Sequence, residues 1–484
     1  MKRRVILFAL TLCASAVSYA QLPEDALRMS WNTQSGTARS QAVGGAVGPL
    51  GGDLSSIFVN PAGLGFYRTN EIVLTPGFSF LNNKGSFRGT EDVSAKRERF
   101  AMGTSGLVFS LNNRYSPWAQ SLGLAVNRTA DFNSVIQYRG FNDLSSYSEQ
   151  FLEEAAFNRL DTNTVYDFPF TSGLAYYTYL IDTIQDASGN IGGFKSLAPL
   201  ETGLNQERTV TSSGGITEIA FAFAAAKADR FYMGATLGIP ILNYKRTTVF
   251  RESDATEDPA NSFNFSEYTQ NYSSTGAGIN LKLGAIFKPV DAVRLGLSIH
   301  TPTLYGLSER SSTSMTTDTE NYPPSPGLVS INSDELTESS YFRYNFTSPW
   351  RFLISGAYVF GEEEDVRNQK GFISADIEYL TYGSPRFSAS QSDFNDPASD
   401  GYYDGVNDAT KLSYKGAFNA RLGGELKFNT LMVRGGFGYY GNPYEDKELK
   451  ARRMNISGGL GYRNRGFFVD LTYNHQLSKD VDFP

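Results

Sequence analysis

Residues 279–287 read Ile279-Asn280-Leu281-Lys282-Leu283-Gly284-Ala285-Ile286-Phe287, with apolar side chains on one parity and mostly polar or small ones on the other. The pattern returns about a dozen times along the chain. Val293, Leu295, Leu297 and Ile299 alternate with Arg294, Gly296, Ser298 and His300. Tyr414, Phe418, Ala420, Leu422 and Leu426 alternate with Lys415, Asn419, Arg421, Glu425 and Lys427. Phe467, Val469, Leu471 and Tyr473 alternate with Phe468, Asp470, Thr472 and Asn474. A strand repeats every two residues, so each segment has one apolar and one polar face. A soluble sandwich buries the apolar face, whereas a membrane barrel turns it outward to lipid around a polar lumen.

The N-terminus bears on that choice. Lys2, Arg3 and Arg4 precede a mostly apolar run from Val5 to Val17, and Ser18-Tyr19-Ala20 ends in small residues. Residues 1–20 therefore read as a secretory signal peptide cut before Gln21. The apolar run is too short to be a spanning helix. Leu12 stands before Cys13 where a lipoprotein leader needs a small residue, so no lipid anchor is expected. Cys13 is the single cysteine, which leaves the mature chain without disulfide or thiol chemistry. Removing the leader takes away three Lys/Arg and no Asp/Glu, leaving 40 against 50, about −10. A mildly acidic exported chain gives no reason to expect nucleic-acid binding. After residue 20 no run approaches the roughly 20 apolar residues of a spanning helix. The 28 Tyr, 35 Phe and 47 Gly combine with a mean hydropathy of −0.30, which suits barrel strands that are only half apolar.

Strands are expected near 71–81, 98–112, 120–138, 215–226, 231–250, 268–287, 292–310, 337–361, 370–383, 412–427, 430–440, 453–463 and 466–477. Short links (Asn113 to Ala119, Lys227 to Arg230, Lys288 to Asp291, Glu362 to Gln369, Asn429, Asn464-Arg465) alternate with long ones (82–97, 139–214, 251–267, 311–336, 384–411, 441–452). Short periplasmic turns and longer outer loops are the habit of outer-membrane barrels, and a sandwich has no reason to keep that rhythm. The expected fold is an all-β, antiparallel transmembrane barrel over residues 71–484. Thirteen strands would leave the chain end outside the cell, whereas a closed single-chain barrel has an even count. Fourteen strands are therefore expected. Either the count is one short, or the last strand lies beyond Val481-Asp482-Phe483-Pro484; the second reading is favoured.

Residues 21–70 are not strand-like. Gly36-Thr37-Ala38-Arg39-Ser40-Gln41-Ala42-Val43-Gly44-Gly45-Ala46 is small and Gly-rich, and Asp53-Leu54-Ser55-Ser56-Ile57-Phe58-Val59-Asn60-Pro61-Ala62-Gly63-Leu64-Gly65 follows. Asn60-Pro61 favours a turn. Such a segment ahead of a first strand can fold back to fill the lumen as a hatch. Gly44-Gly45-Ala46-Val47-Gly48 lacks the dinucleotide-binding spacing and follows no strand.

On these features the chain resembles the FadL-type outer-membrane transporters of long-chain fatty acids and other hydrophobic compounds. The resemblance is carried by Ser35-Gly36, Gly44-Gly45-Ala46, the Asp53 region and Asn60-Pro61-Ala62-Gly63-Leu64, with Asn60, Pro61 and Ala62 matching the family's hatch signature. It covers the whole chain in architecture and is motif-specific over about residues 35–70. It implies fourteen strands, a hatch over 21–70, residence in a Gram-negative outer membrane and passive uptake of fatty-acid-like molecules without an enzyme reaction or a cofactor. Expected contacts are a hydrophobic small molecule and the surrounding outer-membrane lipid and lipopolysaccharide, with the chain a monomer. Ile57, Phe58, Val59, Leu64 and Phe66 are the nominated pocket floor, the alternative being that they only pack the hatch against the wall. The longest outer loop here is the second, whereas the family prototype captures ligand on its third and fourth. Divergent relatives take up aromatic hydrocarbons or serve export systems, so the ligand does not follow from the fold. A second reading is a barrel whose outer loops dock a protein in secretion or adhesion.

Lumen-parity charges Lys282, Arg294, Asp376, Glu378, Lys415, Arg421, Glu425, Arg434 and Asp470 are expected to pair with one another or to hold the hatch. Leu144, Tyr147, Phe151, Leu152, Ala155 and Ala156 recur at helical spacing, which predicts an amphipathic helix over about 145–160 acting as a lid or groove. Asp393, Asp396, Asp400, Asp404 and Asp408 lack calcium-loop spacing and read as a solvated loop. The two histidines, His300 and His475, fall on opposite parities, and no Gly-x-Ser-x-Gly or His-x-x-x-His pattern occurs, so neither catalytic nor metal residues are assigned.

Overall fold

The computed structural model describes residues 23–31, 35–87, 93–111, 118–185, 191–256, 261–322, 327–338, 340–361, 370–390, 397–449 and 451–479. The leader, the acidic turn at 362–365, Asp393, Asp396 and the terminal 480–484 lie outside them.

Among the described residues thirteen antiparallel staves run up and down. β1 is Glu71–Val73 continued by Pro76–Gly85, and β2 is Val93–Met102 continued by Ser105–Ser110. β3 is Trp118–Asp131 continued by Ser134–Asn142. The three longest follow as β4 (Leu204–Lys227), β5 (Phe231–Asp254) and β6 (Phe265–Val290). β7 joins Val293–His300 to Leu304–Asp318, and β8 joins Ser340–Thr347 to Arg351–Phe360. β9 joins Gly371–Leu380 to Arg386–Ala389. β10 (Ala417–Phe428), β11 (Leu431–Tyr440), β12 (Arg452–Asn464) and β13 (Phe467–Lys479) complete the set. Each stave pairs with its sequence neighbour in register, as in Leu237 with Phe221 and with Leu281. Among the described residues β13 has a register with β12 alone and β1 with β2 alone. The expected thirteen strands are all present. Among the described residues the sheet is thus not joined edge to edge, although Arg463, at the end of β12, reaches Glu71 on β1 at 3.8 Å.

Burial follows the alternation. Leu281, Leu283, Leu295, Leu297, Val469 and Leu471 are exposed, while Lys282, Arg294 and Ser298 on the opposite parity are buried. An exposed aliphatic band over a polar, buried interior is the arrangement of a lipid-facing barrel. No helix among the described residues is long and apolar enough to cross a membrane. Tight turns close the short side. Ala228 and Asp229 both take left-handed φ (53° and 52°), as do Asn429 (56°) and Arg465 (47°), the geometry that matches the twist of flanking strands.

On the long side the staves overshoot. β5 is 24 residues and its exposed large apolar residues end at Ile241, leaving roughly 40 Å of strand beyond. The link expected over 139–214 is shorter and carries more structure than the one expected helix. β3 continues to Asn142, β4 begins at Leu204, and a hairpin pairs Ile181–Gln185 with Ile191–Ser196. The amphipathic helix, α4, runs Ser148–Asn158. Phe151 and Ala155 are buried in one cluster with Tyr268 and Met315 from the extended strands and Ile331 of the short strand Leu328–Asn332, and Glu154 accepts from Ser172 N–H (3.1 Å) at the start of α5 (Ser172–Tyr177). Leu144 lies outside the helix and Ala156 faces solvent, so both depart from the expected apolar face. Tyr414 also departs from its parity. It stands before β10 and is buried beside Leu27 and Tyr444 rather than facing lipid.

Candidate functional site

The lumen is filled in two tiers. The lower tier is residues 35–66. Helix α2 (Ala38–Ala42) is capped by Thr37, whose hydroxyl accepts from Ser40 N–H at 3.1 Å and donates to Asp53 at 2.8 Å. Asp53 also accepts from Ser55 N–H (2.8 Å), so one buried carboxylate ties both ends of the Gly-rich turn. Helix α3 (Ser56–Val59) then ends at Asn60.

The Asn60-Pro61-Ala62 motif has a structural logic. Asn60 Oδ1 accepts from Ala62 N–H (3.2 Å) to cap a 3₁₀ turn over Pro61–Phe66, and Pro61 occupies the first position, where no N–H is needed. Asn60 Nδ2 donates to the Ala285 carbonyl of β6 at 3.3 Å. The wall makes room with Gly284, since a Cβ there would lie 2.0 Å from Asn60 Oδ1. Ala62 is fully buried against Ala226, Tyr232 and Ile286.

Many staves grip this tier. Thr236 Oγ1 donates to the Ile57 carbonyl (2.9 Å), Ser457 Oγ to Ala42 (3.1 Å) and Thr472 Oγ1 to Ala38 (2.6 Å). Gly48 N–H donates to Asp376 at 3.2 Å. Arg39 spans Glu425 (3.3 Å) and the Gly52 carbonyl (3.2 Å), Arg434 pairs with Glu425 at 2.6 Å and with Asp470, and Lys282 pairs with Glu218. Arg294 donates to the Leu50 carbonyl and lies 4.7 Å over the Phe66 ring. These contacts show the expected pairing of lumen charges except at Lys415, which stands before β10 and reaches the Glu445 carbonyl at 3.5 Å instead. His300 Nε2 lies 3.0 Å from the Val59 carbonyl, a contact it makes as donor, and His475 stands exposed beside Tyr473 on the outer face. Neither histidine meets a nucleophile in these contacts.

The upper tier is two helices. α1 (Pro23–Ser30) and α6 (Pro397–Ser413) meet inside an aromatic ring of Phe132, Tyr244, Tyr272, Tyr344, Phe346 and Phe387. α6 overturns the expectation of a solvated aspartate loop. Tyr403, Val406 and Thr410 are all buried, with Tyr403 and Val406 in the aromatic cluster, while Asp404 faces solvent. Tertiary burial of that stripe stabilises a helix whose glycines and aspartates disfavour it locally. Burial raises Glu24 above its ordinary carboxylate range, since the lumen disfavours its charged form.

Between the tiers lies a small chamber of about 70 Å³. Phe58 and Val59 contribute to its hatch side, Thr104, Asn127 and Thr129 to one wall, and Arg351, Arg421, Arg453, Glu378 and Asn419 to the opposite one. Glu378 is bound by Asn419 (3.0 Å) and lies near Arg351 (3.1 Å) and Arg421 (3.7 Å), and Arg421 also faces Asp376 at 3.8 Å. Arg453 lies 4.1 Å over Trp31, just past α1. Of the five nominated floor residues, only Phe58 and Val59 border the chamber. Ile57 and Leu64 are fully buried against Val108, Ala125 and Ala220, and Phe66 stacks on Tyr232 at 3.9 Å. Parity alone marks Arg351 and Asn419 as inward, but only the tertiary structure brings them above the hatch.

No family model matches the chain, and no curated protein matches it. Solved structures do. A Pseudomonas aeruginosa FadL homologue is 14% identical, with 93% of this chain and 92% of that chain covered at a TM-score of 0.51. The CymD monoaromatic hydrocarbon channel is 12% identical over 92% and 93% (TM-score 0.47), and the Pseudomonas putida toluene transporter TodX is 11% identical over 93% and 98% (TM-score 0.42). At such identity the likeness with the FadL homologue speaks for architecture, and it agrees with the staves, the lipid-facing band and the Asn60-Pro61-Ala62 hatch: this chain has the FadL-type hatch-filled β-barrel fold.

Proposed function

We propose that the chain passes hydrophobic, fatty-acid-like small molecules across a Gram-negative outer membrane by passive diffusion through its occluded barrel. The carrying observation is the order of surfaces along the lumen. An aromatic tier stands directly above a chamber rich in arginine, so a molecule with an apolar tail and an acidic head meets matching chemistry at both ends. Burial of a tail at about 25 cal/mol per Å² supplies micromolar binding without a dedicated polar contact. Phe58 and Val59 form the hatch side of the pocket, and Ile57, Leu64 and Phe66 hold that surface against the wall. Asn60, Pro61 and Ala62 set where the hatch sits. The protein acts as a monomer, without cofactor or reaction chemistry. Names of solved neighbours mention FadL, monoaromatic hydrocarbons and toluene, which is the same broad class of hydrophobic cargo.

The test is binding by the purified protein of a fluorescent long-chain fatty acid, with toluene as competitor. Micromolar binding that weakens at least tenfold in Arg421→Gln supports the reading, and no binding of fatty acid, detergent tail or hydrocarbon removes it. The protein-docking reading is favoured by one observation, the exposed Phe157, Tyr166 and Tyr177 on the outer elaboration. It predicts stable co-purification with another envelope protein, lost in Phe157→Ser, with ligand binding absent.

A further inference from the structure

The outer surface above the apolar band carries a feature that passage through the lumen does not use. Register places Lys245 opposite Ser273, Ser273 opposite Arg310, and Arg310 opposite Tyr341, so these four form one row across β5–β8. The next row towards the membrane is Asn243, Thr275, Ser308 and Arg343. Lys245, Arg310, Arg343 and Tyr341 are exposed. Among the described residues these rows contain no outward carboxylate. Glu309 on β7 points inward and accepts from Tyr272, and Glu267 farther up already pairs with Arg251 at 3.3 Å. Arg343 Nε donates to the Tyr341 hydroxyl at 3.0 Å, and its guanidinium lies 5.5 Å from the centre of the Tyr341 ring.

The height is what identifies the occupant. Lys245 lies four residues beyond Ile241, and Arg310 six beyond Leu304, the last fully exposed large apolar residues on their staves. At about 3.3 Å per residue and a tilt near 40°, that is roughly 10–15 Å above the hydrocarbon edge. The headgroup zone occupies roughly 5–8 Å on each side, and long cationic side chains reach back along the surface towards it. Strand spacing of about 4.8 Å sets Lys245 and Arg310 roughly 10 Å apart. A lipid whose acyl chains pack on Ile241, Ile279 and Leu304 therefore presents its headgroup to this row, whereas a soluble partner would have no use for that continuity with the band below.

We propose that Lys245, Arg310 and Arg343, with the hydroxyls of Ser273, Thr275 and Ser308, dock the phosphorylated sugar headgroup of an outer-leaflet glycolipid, lipopolysaccharide. Guanidinium and ammonium groups take the phosphates, the hydroxyl row hydrogen-bonds the sugar, and the exposed Tyr341 ring offers a stacking face.

The full chain, purified in neutral detergent and stripped of lipid, is titrated with lipopolysaccharide and with phosphate-stripped lipopolysaccharide. Intact lipopolysaccharide is expected to bind on the order of 100-fold more tightly than the stripped form, at a few-fold for each cation. The Lys245→Gln/Arg310→Gln/Arg343→Gln variant should bind both equally weakly, and Arg251→Gln should change binding by less than twofold. Equal affinity for the two lipids in the unaltered protein overturns the proposal without recourse to any variant. So does an unchanged affinity in the triple variant, an equal loss in Arg251→Gln, or displacement by millimolar inorganic phosphate, which would mark a small-anion surface.

Discussion

The lower hatch and the upper plug fill the same lumen by different physics. The lower tier is pinned by directional bonds, with Asn60, Ala42, Ala38 and Ile57 each bonded to a different stave and Gly284 admitting Asn60 at a distance no side chain would allow. The upper tier is held mainly by apolar contact, as Ala26, Met29, Tyr403 and Val406 lie among rings. Directional networks break at a discrete cost, whereas apolar packing between helices yields to another apolar occupant. The difference teaches where ligand can enter. A hydrophobic molecule competes with the upper tier on equal chemical terms but offers the lower tier nothing in exchange for its hydrogen bonds.

Each prediction probes that contrast, beginning with the largest effect. Deleting residues 21–65 removes the lower tier and α1 together, and single-channel conductance in a planar bilayer should rise several-fold; an unchanged trace would mean that neither tier obstructs the lumen. Arg434→Leu leaves Glu425 and Asp470 without their shared cation, a loss of about 3–5 kcal/mol for a buried network, read as reduced resistance of the folded barrel to heat in detergent. Gly423→Ala drives a Cβ to 2.1 Å from the Val43 carbonyl, so a destabilisation of about 1–3 kcal/mol is expected in urea unfolding. In the upper tier, Tyr403→Ala should speed fatty-acid entry a few-fold in stopped flow while leaving thermal stability nearly unchanged; a large stability loss with no kinetic change would reverse the roles of the two tiers. The smallest effect concerns Glu24. Its folded-state pKa is raised, so its contribution is complete below about 4.5 and lost as pH rises through the folded value. Trp31 fluorescence should therefore report a looser α1 at pH 7 than at pH 4, and Glu24→Gln should remove the difference.

Much of the barrel is legible in the chain because a strand's period of two is a local property. Leu281 and Lys282 declare opposite faces without reference to any partner, and thirteen such segments give thirteen staves. The hatch motif is likewise local, since Asn60 caps a turn two residues ahead. The candidate site is less legible. Ile57, Phe58, Val59, Leu64 and Phe66 are alike in sequence terms, yet only Phe58 and Val59 border the chamber, because α3 turns Ile57, and the 3₁₀ turn Leu64 and Phe66, into the wall.

By itself, then, the sequence determined strand periodicity, the polar lumen and the capped hatch turn, all properties of side chains within a few residues of one another. The tertiary structure alone decided that an aspartate-rich segment is a helix, that α1 rises to meet it, and that Gly48 and Asp376 touch across 328 positions. Those outcomes depend on which surfaces meet inside a curved sheet, and desolvation there outweighs local propensity.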